Sequence, residues 1–250
     1  MGKLSDLIKR VSTEPEPMGF GATARKARSS LVLVAIVGER WPRLAGEAID
    51  AGADVMLLTG RLNDSDVKEA VSATKDKPCG LLAGEASSEQ LEHLREAGVD
   101  FAVLSPNAPA ASTVDQKLSL VLHMRDDLTD IQLRTIEALP IEAIYLDREI
   151  APLTIMRLVE LQRVAGLARK PLLIQVAPGI AKQDLVALRD AGAALAGIDM
   201  KERDAVDALR KLRAEIDAMP RRRERKDEQT RVALTHARGD SAEEEDEDDE

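Results

Sequence analysis

The sequence predicts an α/β fold: one closed barrel of eight parallel strands over residues 31–219. Three observations carry this. The stretch Lys170–Met200 reads as an apolar run, a Pro-Gly turn, an amphipathic run, an Ala-Gly stop and a second apolar run, which is a strand–helix–strand unit. Six further apolar runs and six further amphipathic runs of the same kind precede and follow it at regular intervals. A sequence marker recurs before every second strand, as an even, closing barrel requires.

The strand expectations are 31–37, 53–59, 79–83, 100–105, 118–124, 142–147, 171–177 and 195–199. All are nearly continuous aliphatic runs, the pattern of parallel strands covered on both faces. The intervals 41–51, 63–75, 87–97, 129–139, 154–168, 181–191 and 201–218 carry apolar residues three and four apart and read as helices. Capping residues open several of them: Asn63 or Asp64, Ser87 or Ser88, Thr129 and Thr154. Residues 106–117 are too short and too rich in Pro and Ala for a full helix. Before the barrel, Leu4, Leu7, Ile8 and Val11 sit at helical spacing. Such a helix could close the barrel's bottom, pack on a partner or touch a membrane, and packing on its own barrel is the simplest use. Residues 1–30 thus form an N-terminal helix and linker, with Glu14-Pro15-Glu16-Pro17 as a stiff extended segment. Residues 220–250 read as a disordered charged tail, basic at Arg221–Lys226 and acidic at Glu243–Glu250. An open doubly wound sheet is the competing architecture.

The marker occurs four times. Ala51-Gly52, Ala97-Gly98, Leu139-Pro140 and Ala191-Gly192 stand before strands two, four, six and eight. Gly suits the left-handed cap that ends a helix, and Pro cannot continue one. Seven residues on from positions 52, 98, 140 and 192 lie Thr59, Ser105, Asp147 and Asp199. Side chains alternate across a strand. The parity of these four contains Val55, Leu57, Phe101, Val103, Ala143, Tyr145, Leu195 and Gly197; the other parity is more uniformly aliphatic and suits the outer helices. The first set is therefore expected to point inward. Its last members then form one polar layer at the C-terminal mouth, where such barrels place active sites.

Composition narrows the function. The chain has 250 residues, 44% of them hydrophobic but only four aromatic, which speaks against stacking-based nucleic-acid binding. Its net charge of −10 is mostly the eight consecutive acids at Glu243–Glu250, so the rest is nearly neutral and offers no broad field for a charged polymer. The single cysteine, Cys79, lies in an apolar run and reads as inert core. No apolar run is long enough to span a membrane, and no signal-peptide segment is apparent. The expectation is a cytoplasmic protein with a small-molecule ligand and neither a nucleic-acid nor a membrane partner.

In the polar layer, Asp147 and Asp199 offer carboxylates for acid–base work or a divalent cation, and Thr59 and Ser105 offer hydroxyls to orient a ligand or cofactor. The competing role is backbone capping at strand ends. His123 ends strand five and could act as acid, base or ligand, or be merely exposed. With three scattered histidines, a histidine-rich zinc site has no support. No strand holds an interior lysine, which speaks against Schiff-base chemistry; Lys201, just past strand eight, is the nearest.

Ala177-Pro178-Gly179-Ile180 after strand seven and Ala196-Gly197-Ile198-Asp199 at strand eight resemble, in outline, the turns of the phosphate-binding, aldolase-type α/β barrels. That group includes ribulose-phosphate-binding, thiamine-phosphate-synthase-like and FMN-dependent members. The resemblance implies a TIM barrel, and Gly179 and Gly197 as backbone contacts to a phosphate or cofactor. Pro178 stands where a glycine is usual, Ile198 where a small hydroxyl residue is usual, and Asp199 adds negative charge. A helix N-terminus favours an anion by about 0.3–2 kcal/mol. A carboxylate roughly 4 Å away opposes it by about 4 kcal/mol at an effective dielectric of 20. Two readings follow: a lyase or isomerase working at the mouth, or a non-catalytic barrel that binds or scaffolds.

Overall fold

The computed structural model describes residues 2–12, 30–38, 41–114, 117–124, 128–202 and 204–220. The expected linker and lead-in, Glu39, Arg40, Arg125, Asp126 and the charged tail from Arg221 lie outside them.

Eight strands form one closed barrel in the order of the sequence, and every neighbouring pair is parallel. They are β1 (Val32–Val37), β2 (Val55–Leu58), β3 (Cys79–Gly84), β4 (Phe101–Leu104), β5 (Ser119–His123), β6 (Ala143–Ile150), β7 (Leu172–Val176) and β8 (Ala193–Asp199). The helices are α1 (Lys3–Ser12), α2 (Trp41–Asp50), α3 (Asp64–Ala73), α4 (Ser88–Glu96), α5 (Asp130–Ile136), α6 (Ile155–Ala168), α7 (Lys182–Asp190) and α8 (Ala205–Asp217). A short 3₁₀ turn over Ala110–Thr113 stands between β4 and β5, where the sequence is too short for a helix. The TIM barrel is therefore observed, and the open sheet is not.

Local chemistry explains the element ends. Asn63, Ser87 and Thr129 each accept the backbone N–H three residues on, and that residue's side chain answers with a bond to the cap's own N–H. Thr154 caps α6 through the N–H of Arg157. Each such cap stabilises its helix by about 1 kcal/mol. Gly52, Gly98 and Gly192 in the marker turns have φ of 106°, 93° and 108°, the left-handed conformation that makes glycine necessary there.

The parity argument holds through the barrel. Val55, Leu57, Phe101, Val103, Ala143, Tyr145 and Leu195 pack together inside, with Val34, Ile36, Val121 and Leu173 from the odd strands. Met56, Leu58, Ile144, Leu146, Ala196 and Ile198 face the helices instead. Leu4 and Ile8 of α1 join the interior cluster, so the N-terminal helix closes the barrel's bottom. Burying each of these side chains contributes about 1.5–3 kcal/mol.

Carboxylates bracket that bottom end. Asp54 donates its N–H to the Leu33 carbonyl at 2.8 Å, and its Oδ2 accepts the Leu33 N–H at 3.0 Å. Asp100 repeats this on Cys79, again with 2.8 Å and 3.0 Å. In the third pair Glu142 reaches the Ser119 hydroxyl at 3.0 Å. The fourth pair has Ala194 at this place, and its register shifts between Leu172 and Leu173. Asp54 also holds Arg213 of α8 at 2.9 Å, and Asp100 holds Lys3 of α1 at 3.2 Å. The closing elements are thus tied to the strand starts by charge as well as by packing.

Several element ends differ from expectation: α8 begins at Ala205 rather than 201, α5 ends at Ile136 rather than 139, β2 is shorter at both ends and β8 begins two residues earlier. β6 continues to Ile150, three residues past its expected end, with a register shift against β7 between Leu146 and Ile150. The residues inside that shift, Asp147, Arg148 and Glu149, are exposed.

Candidate active site

The last inward positions of the eight strands make the floor of the mouth. On the β5–β8 side these are His123, Tyr145, Asp147, Gln175, Gly197 and Asp199. On the β1–β4 side they are Ile36, Thr59, Gly84 and Ser105. One half carries charged side chains; the other is uncharged.

Strand register brings the charged half together. His123 pairs in register with Tyr145, and Gln175 with Gly197. The His123 and Tyr145 rings lie with centroids 5.3 Å apart, tilted by 31°. The Asp147 carboxylate closes over them, with Oδ2 at 2.9 Å from Nε2 of His123. Nε2 is shielded from solvent and the carboxylate sits beside it without the alignment of a full hydrogen bond. Asp147 itself is 52% exposed. Below, the Tyr145 hydroxyl donates to Oε1 of buried Gln175 at 3.4 Å.

Electrostatics tie both aspartates to this floor. The Tyr145 hydroxyl is held far above its ordinary pKa, first by burial, then by the charges of Asp147 and Asp199. Both carboxylates therefore act on one inward side chain, and Tyr145 stays a neutral donor. Asp199 has local partners too. Its Oδ1 accepts the Lys201 backbone N–H at 3.0 Å, and its Oδ2 holds the Lys201 ammonium at 2.6 Å. The hydrogen bond to Asp199 raises the Lys201 pKa above its ordinary value, and the Asp199 charge adds to this.

The two hydroxyls do local work. Ser105 accepts the Asn107 N–H at 3.2 Å, and Thr59 donates to the Val37 carbonyl at 3.5 Å. The Ser105 contact is the loop capping that such residues make at strand ends, whereas the Thr59 contact is a long bond across to β1. Gly179 sits in the turn after β7 with φ of 80°. Gly197 is buried, and a Cβ there would stand 2.8 Å from Cδ1 of Ile36. Ile36 thus fills the room over Gly197 that a ligand would need. Among the described residues, no group of three or more His, Cys, Asp or Glu side chains converges to hold a metal. Cys79 is fully buried, and burial pushes its thiol pKa up to about 12.

Sequence reasoning named His123, Asp147 and Asp199, and the structure places all three at the same end of the barrel, on β5, β6 and β8. It gave no role to the Tyr145–Gln175 pair. The available signal was the only tyrosine of the chain lying two residues before Asp147, on the same parity.

No family model matches the chain, and no curated protein matches it. Solved structures do. A thiamine phosphate pyrophosphorylase from Pyrococcus furiosus superposes with a TM-score of 0.57 at 14% identity, covering 74% of this chain and 96% of that one. A 3-hexulose-6-phosphate synthase gives 0.57 at 17% identity, over 74% and 99%. A mutant tryptophan synthase α-subunit from P. furiosus gives 0.56 at 16% identity, over 74% and 97%. The likeness is one of fold. The barrel architecture expected from the sequence is the one these structures share.

Proposed function

We propose that the mouth binds a small polar molecule and performs acid–base chemistry on it, as a lyase or isomerase, with His123 moving the proton and Asp147 orienting its ring. The observation that carries this is the 2.9 Å approach of Asp147 to Nε2 of His123, directly above Tyr145. Imidazole changes charge near neutral pH, and a neighbouring carboxylate stabilises the imidazolium that forms on taking a proton. Such a positioned group accelerates a reaction by about 10²–10⁴-fold. Neutral Tyr145 can donate to a developing oxyanion, and Asp199 can accept from a ligand hydroxyl or amine. The solved counterparts named for phosphorylated compounds support a small metabolite as ligand. The internal pairing of Asp199 with Lys201 favours a ligand without phosphate at the β8 turn. The same pairing, with no lysine inside the barrel, supports a second reading: a barrel that binds but does not catalyse.

Among the described residues no helix is long and apolar enough to cross a membrane. The setting in this reading is the cytoplasm, supported by a single cysteine kept buried as a thiol.

The test is a thermal-shift panel of sugars, hydroxy acids, amines and phosphate esters, followed by NMR detection of turnover for each binder. A ligand at a hundred times its Kd stabilises the protein by about 2.7 kcal/mol, a readily measured shift. His123→Gln should keep binding and lose turnover. Turnover that survives in His123→Gln removes the catalytic role of His123. Binding with no turnover in the wild type supports the second reading instead.

A further inference from the structure

Five polar or charged side chains are buried among the described residues: Thr74, Ser112, Ser119, Gln175 and Arg189. Four of them are closely bonded inside the protein. The Thr74 and Ser112 hydroxyls donate to the Val71 and Ala86 carbonyls, each at 2.7 Å. Ser119 donates to Glu142 at 3.0 Å, and Arg189 holds Asp190 at 2.9 Å and the Pro220 carbonyl. Gln175 is the exception. It stands in β7, a strand otherwise aliphatic and buried throughout, and is itself only 9% exposed. Its Oε1 accepts the Tyr145 hydroxyl at a long 3.4 Å. Its amide NH2, which offers two donors, has no partner among the described residues. Burying an amide without partners costs stability, and buried polar groups are as a rule bonded. A Met here would fill the same length with no amide to satisfy. The NH2 is not shut away from solvent either. Gln175 holds the last inward position of β7, so the water that its amide meets is that of the mouth.

Tyr145 sets the direction of the amide. Burial and the charges of Asp147 and Asp199 keep its hydroxyl protonated, so it donates to Oε1 and leaves the NH2 for another acceptor. We propose that Gln175 determines which ligand the mouth takes, by donating its amide N–H to the uncharged carbonyl oxygen of a small hydroxy ketone or hydroxy aldehyde. This rests on the reading of the mouth as the ligand site. A free donor calls for an acceptor, and the surroundings call for a neutral one. The charges of Asp147 and Asp199 both reach Tyr145, 3.4 Å from Gln175, and repel a carboxylate or phosphate oxygen placed there. The half-exposed Asp147 carboxylate accepts the hydroxyl of the same molecule. Gln175 touches the ligand in this account, and Tyr145 is a positioning residue that acts through it.

NMR of the side-chain amides in the ¹⁵N-labelled full chain tests this, with hydroxyacetone as the probe at up to about 100 mM. Propane-1,2-diol, its reduced form, and glycolate, an anionic hydroxy compound, are the controls. The spectrum of Gln175→Met lacks the Gln175 NH2 signals and so assigns them. Hydroxyacetone should move those signals in the wild type and bind at least about fivefold more tightly than either control. Gln175→Met should keep the circular-dichroism melt and lose the preference. Tyr145→Phe should weaken hydroxyacetone about threefold and move the Gln175 NH2 signals even without ligand, which a merely structural tyrosine would not do. Gln175 signals that stay in place, a diol bound as tightly as hydroxyacetone, or a Gln175→Met variant that keeps the preference overturns the proposal. If that variant fails to fold, the wild-type amide signals and the comparison of the three probes decide. Binding is the readout, so the two readings fail separately. A carbonyl preference without turnover counts against acid–base chemistry alone, and turnover without a carbonyl preference counts against the role of Gln175 alone.

Discussion

At the bottom of the barrel, Asp54, Asp100 and Glu142 spend their oxygens on the neighbouring strand: the Leu33 N–H, the Cys79 N–H and the Ser119 hydroxyl. Five residues further along the same strands stand Thr59, Ser105 and Asp147. Of these, Thr59 and Ser105 bond to nearby backbone, whereas Asp147 leans on His123 and turns its remaining face to solvent. Residues of one chemical kind at the two ends of one strand thus do different jobs. At the bottom the acceptor meets a backbone donor whose desolvation would otherwise cost stability. At the mouth Asp147 keeps an exposed face, while Asp199 spends both oxygens on Lys201.

Breaking the bottom should therefore have the larger effect on folding. Asp54→Ala removes the acceptor of both the Leu33 N–H and the Arg213 guanidinium. Urea denaturation should show a loss of about 2–4 kcal/mol. A loss below about 0.5 kcal/mol would mean that water replaces the carboxylate and that the bracket is ornamental.

The same end can be probed by pH. Cys79 is an acid whose folded pKa is raised from 9.0 to about 12, chiefly by burial and next by Asp100. The folded chain therefore holds a proton that the unfolded chain loses above pH 9. Stability from this group is intact below that pH and declines between pH 9 and about 12. The slope approaches about 1.4 kcal/mol per pH unit. Cys79→Ala should remove that part of the alkaline slope. An unchanged slope would show that the bottom admits water.

Smaller still is the expected effect at the mouth's uncharged half. Ser105→Ala loses one turn-capping bond, worth about 0.5–1 kcal/mol, and should leave any ligand response intact. A lost ligand response would move Ser105 from capping into the site.

Much of this division was legible beforehand, for definite reasons. Strands covered on both faces must be apolar throughout, so β1, β2 and β4 read as uninterrupted runs. Helices α3 to α6 announce themselves because Asn63, Ser87, Thr129 and Thr154 must satisfy orphan N–H groups. The marker offset found the polar layer because every second strand enters the barrel in the same way. Other features depend on partners far away in sequence. Asp54 and Asp100 belong to the marker pattern, but their role needs β1 and β3 alongside. The approach of Asp147 to His123 is set by the β5–β6 register and by the shift after Leu146. Ile36 filling the space over Gly197 could only be seen once β1 closed against β8. The turn resemblance pointed to Gly197 as a ligand contact; packing gave that space to a side chain.

The central claim is that Asp147 at the mouth is held for a ligand while the bottom carboxylates hold the fold. Asp147→Asn tests it most directly, by measuring urea stability and ligand-induced thermal shift on the same sample. The substitution keeps size and removes charge. The account predicts stability within about 0.5 kcal/mol of wild type, together with loss of the shift produced by whichever small molecule stabilises the wild-type protein. A drop of about 1.5 kcal/mol or more with the ligand shift retained would contradict it, and would make Asp147 a structural residue like Asp54.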